Sequence, residues 1–589
     1  MSARGPPEEC AVDHTLERRS FLKAAGAAAG FMIAGSSSAF SYAQNSKVRI
    51  GCIGVGAQGV HNIREGLTHT PEALIVAIAE VYKPNQDAAA IVSRLSNAKQ
   101  YVPEGQAPGA EQLAAIDATP APSLSYDYRE VLANPNVDAV IISTPPRAQF
   151  QIVIDALNAG KYVFCETPLV RSVEQGRYLV EKCHSLGRWV QVGYQRRYNP
   201  KYNLAQSLVY ERGMVGRITH ISAQSHENIS ERRPLPEGYV LNEEERKHIT
   251  DLDKHLNWRL YSDHSRGLYT GAALHHLDAA NWFLRSVPSR VFAAGGQDYW
   301  EDGRTNDDNM VVVCEYDLKT GSPGHIPIKS RTTLMNEATA NQNYTVRVVH
   351  SSLTDNSARG VCGFVQGDRG SLTLGENICK YHVEPWTLTE IMARGKFSMV
   401  GPETNDWVVQ ILRAERLRGI PQSLVEEDVQ AYTRMPSGSS PDLKRIFARQ
   451  HTERALRHGL SLLDSCGDLD VDKTPSANAT AFQFRAFADC IREGARPRNN
   501  EMVAFASAVS MLAALESRRR GEAIQVDPAW FSFDFEPPST HEYDPSWAAM
   551  ECEPPKCECC GQPMKDPEKP VCPKCGAGVP PNLHAPCPC

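Results

Sequence analysis

Three glycines, Gly54, Gly56 and Gly59, follow the apolar run Val48-Arg49-Ile50-Gly51-Cys52-Ile53 in the order Gly54-Val55-Gly56-Ala57-Gln58-Gly59. A strand that breaks into G-x-G-x-x-G and opens a helix makes a cradle for a pyrophosphate. Gly54 makes the tight turn, Gly56 lets the pyrophosphate lie against bare backbone, and Gly59 lets helix and strand pack closely. The unpaired N–H groups and positive dipole end of that helix face the phosphates, with Gln58 inside the turn. A second apolar run, 74–79, ends on Glu80, 21 residues past Gly59. A carboxylate at that spacing accepts hydrogen bonds from the adenosine ribose hydroxyls. The chemistry expected is binding of NAD or NADP. Glu80 would repel a 2′-phosphate and so favours NAD, although Lys83, just beyond, could relieve that repulsion. The plain alternative is a glycine-rich turn in a nucleotide-free α/β protein.

A second chemistry is written at the other end of the chain. Eight of the 17 cysteines fall between Cys552 and Cys589. Cys557-Glu558-Cys559-Cys560-Gly561 and Cys572-Pro573-Lys574-Cys575-Gly576 are two C-x-x-C-G knuckles, eleven residues apart. Cys557, Cys560, Cys572 and Cys575 would give the four thiolates of a tetrahedral structural Zn²⁺ site resembling a zinc ribbon, with no position open for catalysis. Disulfides in an oxidising compartment are the competing reading. Docking of a partner would be one use for such a tail.

The elements that must position these groups show in the pattern of apolar residues. Strand and helix alternate from Val48 to about Gln195, with strands expected at 48–53, 74–79, 137–143, 161–165 and 188–192. That is the pattern of a doubly wound parallel sheet. Residues 102–125, rich in Ala, Pro and Gly, read as a long surface loop. Beyond Gln195, strand-like runs at 217–225, 290–295, 310–316, 344–350, 362–365 and 371–374 follow one another, as in an α+β domain with a mostly antiparallel open sheet. Helices are expected at 480–492 and 501–520. The domains expected are an export signal (1–43), a dinucleotide-binding domain (44–195), a substrate and oligomerisation domain (196–540) and the cysteine-rich tail (541–589).

At 589 residues, with 42% apolar and 22% charged residues, the chain suits two or more globular domains. A net charge of −7 and the lack of any Lys/Arg run longer than three residues argue against a nucleic-acid surface. At the N-terminus, Arg18-Arg19 precedes a weakly apolar Ala/Gly stretch, a Ser run and small residues at Ser41 and Ala43. These features read as a twin-arginine export signal, placing the protein in the periplasm or at the cell surface. The apolar stretch is too short for a stable membrane span.

Several segments together resemble one family. Besides the glycine turn there are Val137-Asp138-Ala139-Val140-Ile141-Ile142-Ser143-Thr144-Pro145-Pro146 and Cys165-Glu166-Thr167-Pro168-Leu169. Farther on stand Gly193-Tyr194-Gln195-Arg196-Arg197-Tyr198-Asn199-Pro200, His275-His276-Leu277-Asp278 and Asp302-Gly303-Arg304. Over roughly 47–535 the chain is similar to the Gfo/Idh/MocA oxidoreductases, relatives of glucose–fructose oxidoreductase and inositol dehydrogenase. The resemblance implies a Rossmann domain followed by a domain whose open sheet makes homo-oligomer contacts. It also implies a tightly held nicotinamide acting on a sugar, polyol or related carbohydrate. Thr144, Pro145, Glu166, Thr167 and Pro168 would border the cofactor. His275 would be the base, with Tyr194 and Arg197 (or Tyr198 and Arg196) orienting a sugar oxygen. His276 is expected to be structural, and Asp307-Asp308 to form a turn rather than a metal pair. Trp258-Arg259 and Trp300 could stack on a sugar or fill a core.

The departures bear on mechanism. The family's E-K-P lysine is Thr167, the acidic residue four before the histidine is Gly271, and a further histidine is Gln149. Thr and Gly cannot take a hydroxyl proton near neutral pH, so His275 is left as the base. Two other functions follow from the same departures: an NAD-dependent glycosidase or epimerase on this fold, or a redox-silent nucleotide-binding protein.

Overall fold

A computed structural model describes residues 47–328, 341–383, 469–470 and 478–533. The twin-arginine segment and the cysteine-rich tail lie outside the described residues.

The first apolar runs become strands buried on both faces, as a sheet covered by helices requires. In chain order the elements are β1 (Val48–Ile53), α1 (Ala57–His61), β2 (Ala73–Ala79), α2 (Lys83–Asn97), α3 (Ala110–Ala118), β3 (Ser123–Ser125), α4 (Tyr128–Ala133), β4 (Ala139–Ile142), α5 (Pro146–Asn158), β5 (Tyr162–Cys165), α6 (Val173–Leu186) and β6 (Val190–Val192). The six strands are parallel, in the order β3-β2-β1-β4-β5-β6. The order reverses between β1 and β4, where a ligand crevice opens beyond the strand ends.

The loop expected over 102–125 is corrected. It contains α3 and the edge strand β3. Glu111-Gln112-Leu113-Ala114-Ala115-Ile116 are good helix formers, and the Gln112 side chain accepts the Gly109 N–H at 3.1 Å.

The second half contains α7 (Pro200–Tyr210), β7 (Ile218–His226), α8 (Glu243–Arg246), α9 (Leu252–Leu256), α10 (Ala272–Leu284), β8 (Arg290–Gly296), β9 (Asn309–Leu318), β10 (Tyr344–Leu353), β11 (Val361–Gly367), β12 (Gly370–Leu374), β13 (Cys379–Val383), β14 (Leu469–Asp470), α11 (Ala479–Glu493), α12 (Glu501–Arg520) and β15 (Ile524–Gln525). Its nine-stranded sheet runs β14-β13-β12-β11-β7-β10-β9-β8-β15. All neighbours are antiparallel except β7 and β10.

Helix α12 joins the halves, packing on β8 and α10 on one side and on α6 and β6 on the other. It is apolar or small nearly all round, as a helix between two layers must be. Asn500 caps it, accepting the Met502 N–H at 3.0 Å. Helix α11 turns back to the first sheet, where Phe484 and Phe487 pack on Phe164 of β5, ring centres 4.6 and 5.9 Å apart. Among the described residues no helix is long and apolar enough to cross a membrane.

Candidate active site

The glycine turn has the geometry its sequence asks for. Gly54 adopts φ +79°, and a Cβ there would lie 2.7 Å from the Thr144 methyl, so no other residue fits. A Cβ at Gly59 would lie 2.3 Å from the Gly54 carbonyl oxygen, the close helix–strand approach expected. Gly56 differs: a Cβ there would meet nothing nearer than the Asn85 side chain at 3.8 Å. The polypeptide itself leaves that space clear, which suits a ligand that needs the backbone bare. Glu80, nearly enclosed, accepts the Val55 N–H at 2.8 Å and the Tyr82 N–H at 3.0 Å. Burial pushes its carboxyl above the usual range, against the pull of these N–H groups.

Helix α1 continues as a π turn over Asn62–Gly66, which carries Asn62 towards the crevice. The Asn62 amide donates to Glu166 Oε1 at 2.7 Å and to Ser143 Oγ at 3.2 Å, while Gln58 donates to Glu166 at 3.3 Å. Burial raises the Glu166 carboxyl, and these donors partly offset it. Gln58 and Glu166 are thus brought together in one network.

These residues line a cavity of about 250 Å³ with Thr144, Thr167, Gln149, Gln195, Gly271 and His275. Pro145 stands at its edge as the N-terminal cap of α5, and Pro168 follows Thr167 through a cis peptide. From the second domain come Glu227 at the end of β7, Leu353 and Thr354 at the end of β10, and Glu231, Trp258 and Arg259 from the segment between β7 and α10. Four enclosed polar atoms on this cavity have no partner among the described residues: Thr144 Oγ1, Gln149 Oε1, His275 Nδ1 and Gln483 Oε1. Burial, and then the Arg196 charge, hold the His275 imidazole down to a pKa of about 3, so it is neutral at working pH.

Two expected catalytic residues are not in the cavity. Arg197 is buried in a forked ion pair with Asp278, its Nε and Nη2 donating at 2.9 and 2.8 Å, and its guanidinium lies over the Trp282 ring at 5.3 Å. Asp278 also accepts the Ser507 hydroxyl at 2.8 Å, so the aspartate of H-x-x-D anchors α10 to α12. Tyr194 is fully buried behind His275, ring centres 6.0 Å apart, and supports that imidazole without reaching the cavity. Tyr198 is likewise buried, donating to Asn499 at 2.6 Å. Asp308 accepts the Tyr299 and Trp300 N–H groups at 2.9 Å and so holds the loop at 298–300 to the start of β9.

Sequence reasoning passed over Glu231. Its backbone takes φ +61°, a left-handed conformation rare for glutamate and common at functional sites. Although Glu231 stays exposed at the rim, partial desolvation there raises its carboxyl, opposed by Arg259. It sits in a stretch with no motif, and nothing local in the sequence marks it. The Arg259 guanidinium stacks on Trp258 at 4.6 Å.

Comparison with known proteins agrees with this geometry. Residues 48–194 match the oxidoreductase-family model for an NAD-binding Rossmann fold, and residues 205–333 match the GFO/IDH/MocA C-terminal domain. Over these residues the chain is similar to the Gfo/Idh/MocA family. An inositol 2-dehydrogenase/D-chiro-inositol 3-dehydrogenase of Lactiplantibacillus plantarum is 27% identical over 35% of this chain and 51% of its own length. A protein of the same name from Shouchella clausii is 33% identical over 39% of this chain and 59% of its own. The chain thus spans about half the length of the curated relatives it matches. A levoglucosan dehydrogenase solved with NADH and levoglucosan aligns at TM-score 0.49 and 16% identity, covering 82% of this chain and 100% of that one. The fold rests on the strand order itself.

The four knuckle cysteines lie outside the described residues. Among those described, no group of three or more His, Cys, Asp or Glu could hold a metal.

A buried histidine beneath this site has a measurable consequence. His350 is fully enclosed, bonded through Nε2 to Ser352 Oγ at 2.8 Å, and held down to a pKa of about 3 by burial and then by Arg196. Its folded pKa lies below the ordinary value of 6.5, so the unfolded chain binds the extra proton. Stability is therefore full above that value and falls as pH drops towards the folded one. Between pH 7.5 and 5.5 this one group should remove about 1.4 kcal/mol. In urea unfolding at the two pH values, His350→Gln should show a correspondingly smaller loss than the wild type.

Proposed function

We propose that this protein is an NAD-dependent oxidoreductase acting on a secondary hydroxyl of a sugar, polyol or related carbohydrate. The observation that carries the reading is the convergence of Thr144 Oγ1, Gln149 Oε1 and His275 Nδ1, enclosed and unpartnered, on a cavity at the β1/β4 reversal. A polyhydroxylated substrate brings the donors and acceptors these atoms lack. Gly54, Gly56, Gly59 and Glu80 would hold the dinucleotide, and NAD⁺, when bound, supplies the hydride acceptor. His275, neutral, accepts the substrate hydroxyl's hydrogen bond, and would take its proton once bound substrate raises the imidazole from its value of about 3. Thr167 donates or accepts one hydrogen bond without titrating. Glu231 and Arg259 give the cavity a charged wall for the remaining hydroxyls.

The relatives named as inositol dehydrogenases support the substrate class. Absorbance at 340 nm during incubation with NAD⁺ and a panel of polyols and sugars tests the activity. Formation of NADH with at least one polyol or sugar is expected. Release of an aglycone without net NADH would instead identify the glycosidase reading.

Self-association through the nine-stranded sheet belongs to the same proposal. Phe292, Val313, Val349, Ser222 and Phe364 stand in register across β8, β9, β10, β7 and β11, an apolar row broken by one serine, and Phe292 is 42% exposed. Twin-arginine export, supported by Arg18-Arg19, and a structural Zn²⁺ held by Cys557, Cys560, Cys572 and Cys575, supported by their spacing, complete it.

A further inference from the structure

The segment between β7 and α10 lines the cavity at Glu231, Trp258 and Arg259, and its middle part packs on the residues that follow β2 and β3. There the Asn242 amide donates to the Tyr126 hydroxyl at 3.1 Å, and the Tyr82 ring lies 5.2 Å from Tyr239 and 5.9 Å from His255. At the start of α8, Asn242 and Glu245 form a capping box. Glu245 Oε2 accepts the Asn242 N–H at 2.7 Å, and Asn242 Oδ1 accepts the Glu245 N–H at 2.9 Å. The other oxygen, Oε1, accepts the Tyr239 hydroxyl at 2.6 Å and the Lys83 backbone N–H at 2.8 Å. Glu245 is wholly enclosed.

Lys83 is the first residue of α2 and stands three residues beyond Glu80. A ribose whose hydroxyls meet Glu80 directs its 2′ position towards this helix start, where a 2′-phosphate would seek free N–H groups and the positive dipole end. That N–H is taken by a carboxylate. The Lys83 ammonium, which the sequence offered as relief for a 2′-phosphate, is ion-paired with Asp87. Burial disfavours the Glu245 charge, but the hydrogen bonds from Tyr239, Asn242 and Lys83 outweigh it and keep the carboxyl below its usual range.

We propose that Glu245 is a fixed anionic clasp that stands in for the 2′-phosphate at the start of α2 and makes the cleft accept NAD and reject NADP. The inference rests on the reading that the cleft binds a nicotinamide dinucleotide. Removal of one carboxylate charge close to a phosphate should tighten NADP⁺ binding about tenfold or more.

The test is titration of the full chain with NAD⁺ and with NADP⁺ by calorimetry, for the wild type, Glu245→Gln and Tyr239→Phe. Thermal melts of each establish that they fold. The wild type should prefer NAD⁺. Glu245→Gln keeps an oxygen for Lys83 but loses the charge, and should narrow the preference about tenfold, chiefly through tighter NADP⁺. Tyr239→Phe loosens the segment but keeps the charge, and should leave the preference intact. A wild type that prefers NADP⁺, an unchanged ratio in Glu245→Gln, or an equal change in both variants would overturn the clasp. Should Glu245→Gln fail to fold, Glu245→Ala and Tyr239→Phe make the same comparison. A wild type that binds neither nucleotide would overturn the dinucleotide reading itself, a distinct failure.

Discussion

Gly56→Asp should fold with near wild-type stability and retain no dinucleotide. The new side chain enters space that the polypeptide leaves open, its nearest neighbour 3.8 Å from the new Cβ, and the backbone there has an ordinary negative φ. No packing is lost. The carboxylate instead occupies the place of the pyrophosphate at the start of α1 and repels it. Anionic ligands at such a site depend on bare N–H groups, so loss of binding should exceed a hundredfold, roughly 2.7 kcal/mol. Gly54→Ala makes the contrast: its Cβ would collide with Thr144 at a φ of +79°, so that variant should lose stability as well as binding. Thermal melts with and without NAD⁺ separate the two. Retention of nucleotide at unchanged stoichiometry in Gly56→Asp would remove the cofactor site from this turn.

His275→Ala should lower turnover by about 10²–10⁴-fold, the usual contribution of a positioned proton-transfer group. Thr167→Ala should cost far less, because a threonine hydroxyl does not titrate near neutral pH. The imidazole is held to a pKa of about 3 in the structure, so no rate limb near pH 6.5 should be assigned to it. A limb that vanishes in Glu231→Gln but persists in His275→Ala would move the base to Glu231, whose carboxyl is raised at the cavity wall. Thr167→Lys alone should not yield a strong dehydrogenase, since the residue four before His275 is Gly271. The site has room for the missing carboxylate: a Cβ at Gly271 would come no nearer than 3.9 Å to the Gly267 carbonyl oxygen. Equal turnover by His275→Ala and the wild type would refute the assignment.

The parts of this molecule that were legible in sequence are those set by local physics. A strand, a glycine turn and a helix are neighbours along the chain, so Gly54, Gly56, Gly59 and Glu80 lie where their spacing places them. The parallel strands announced themselves as unbroken apolar runs, and α12 was expected over 501–520, the range it occupies. The site's second half was less readable because its partners are distant in sequence. Arg197 looked like a substrate anchor, yet Asp278, 81 positions on, claims its fork. Glu245 reaches Lys83 across 162 positions, and no local pattern records that contact. Glu231 holds its place by a left-handed backbone in a stretch without periodicity. Helix α3 was read as a loop because Ala, Pro and Gly around it outweighed its one buried side chain, Ile116.

Transfer of label from substrate to cofactor tests the central claim most directly. The wild-type protein is incubated with NAD⁺ and a polyol panel deuterated at the carbinol carbons, and the nicotinamide is then examined by mass spectrometry. Hydride transfer in this cavity predicts NADH carrying one deuterium with at least one polyol, and loss of that label in His275→Ala. Bound NAD⁺ that gains no deuterium from any polyol or sugar would contradict it.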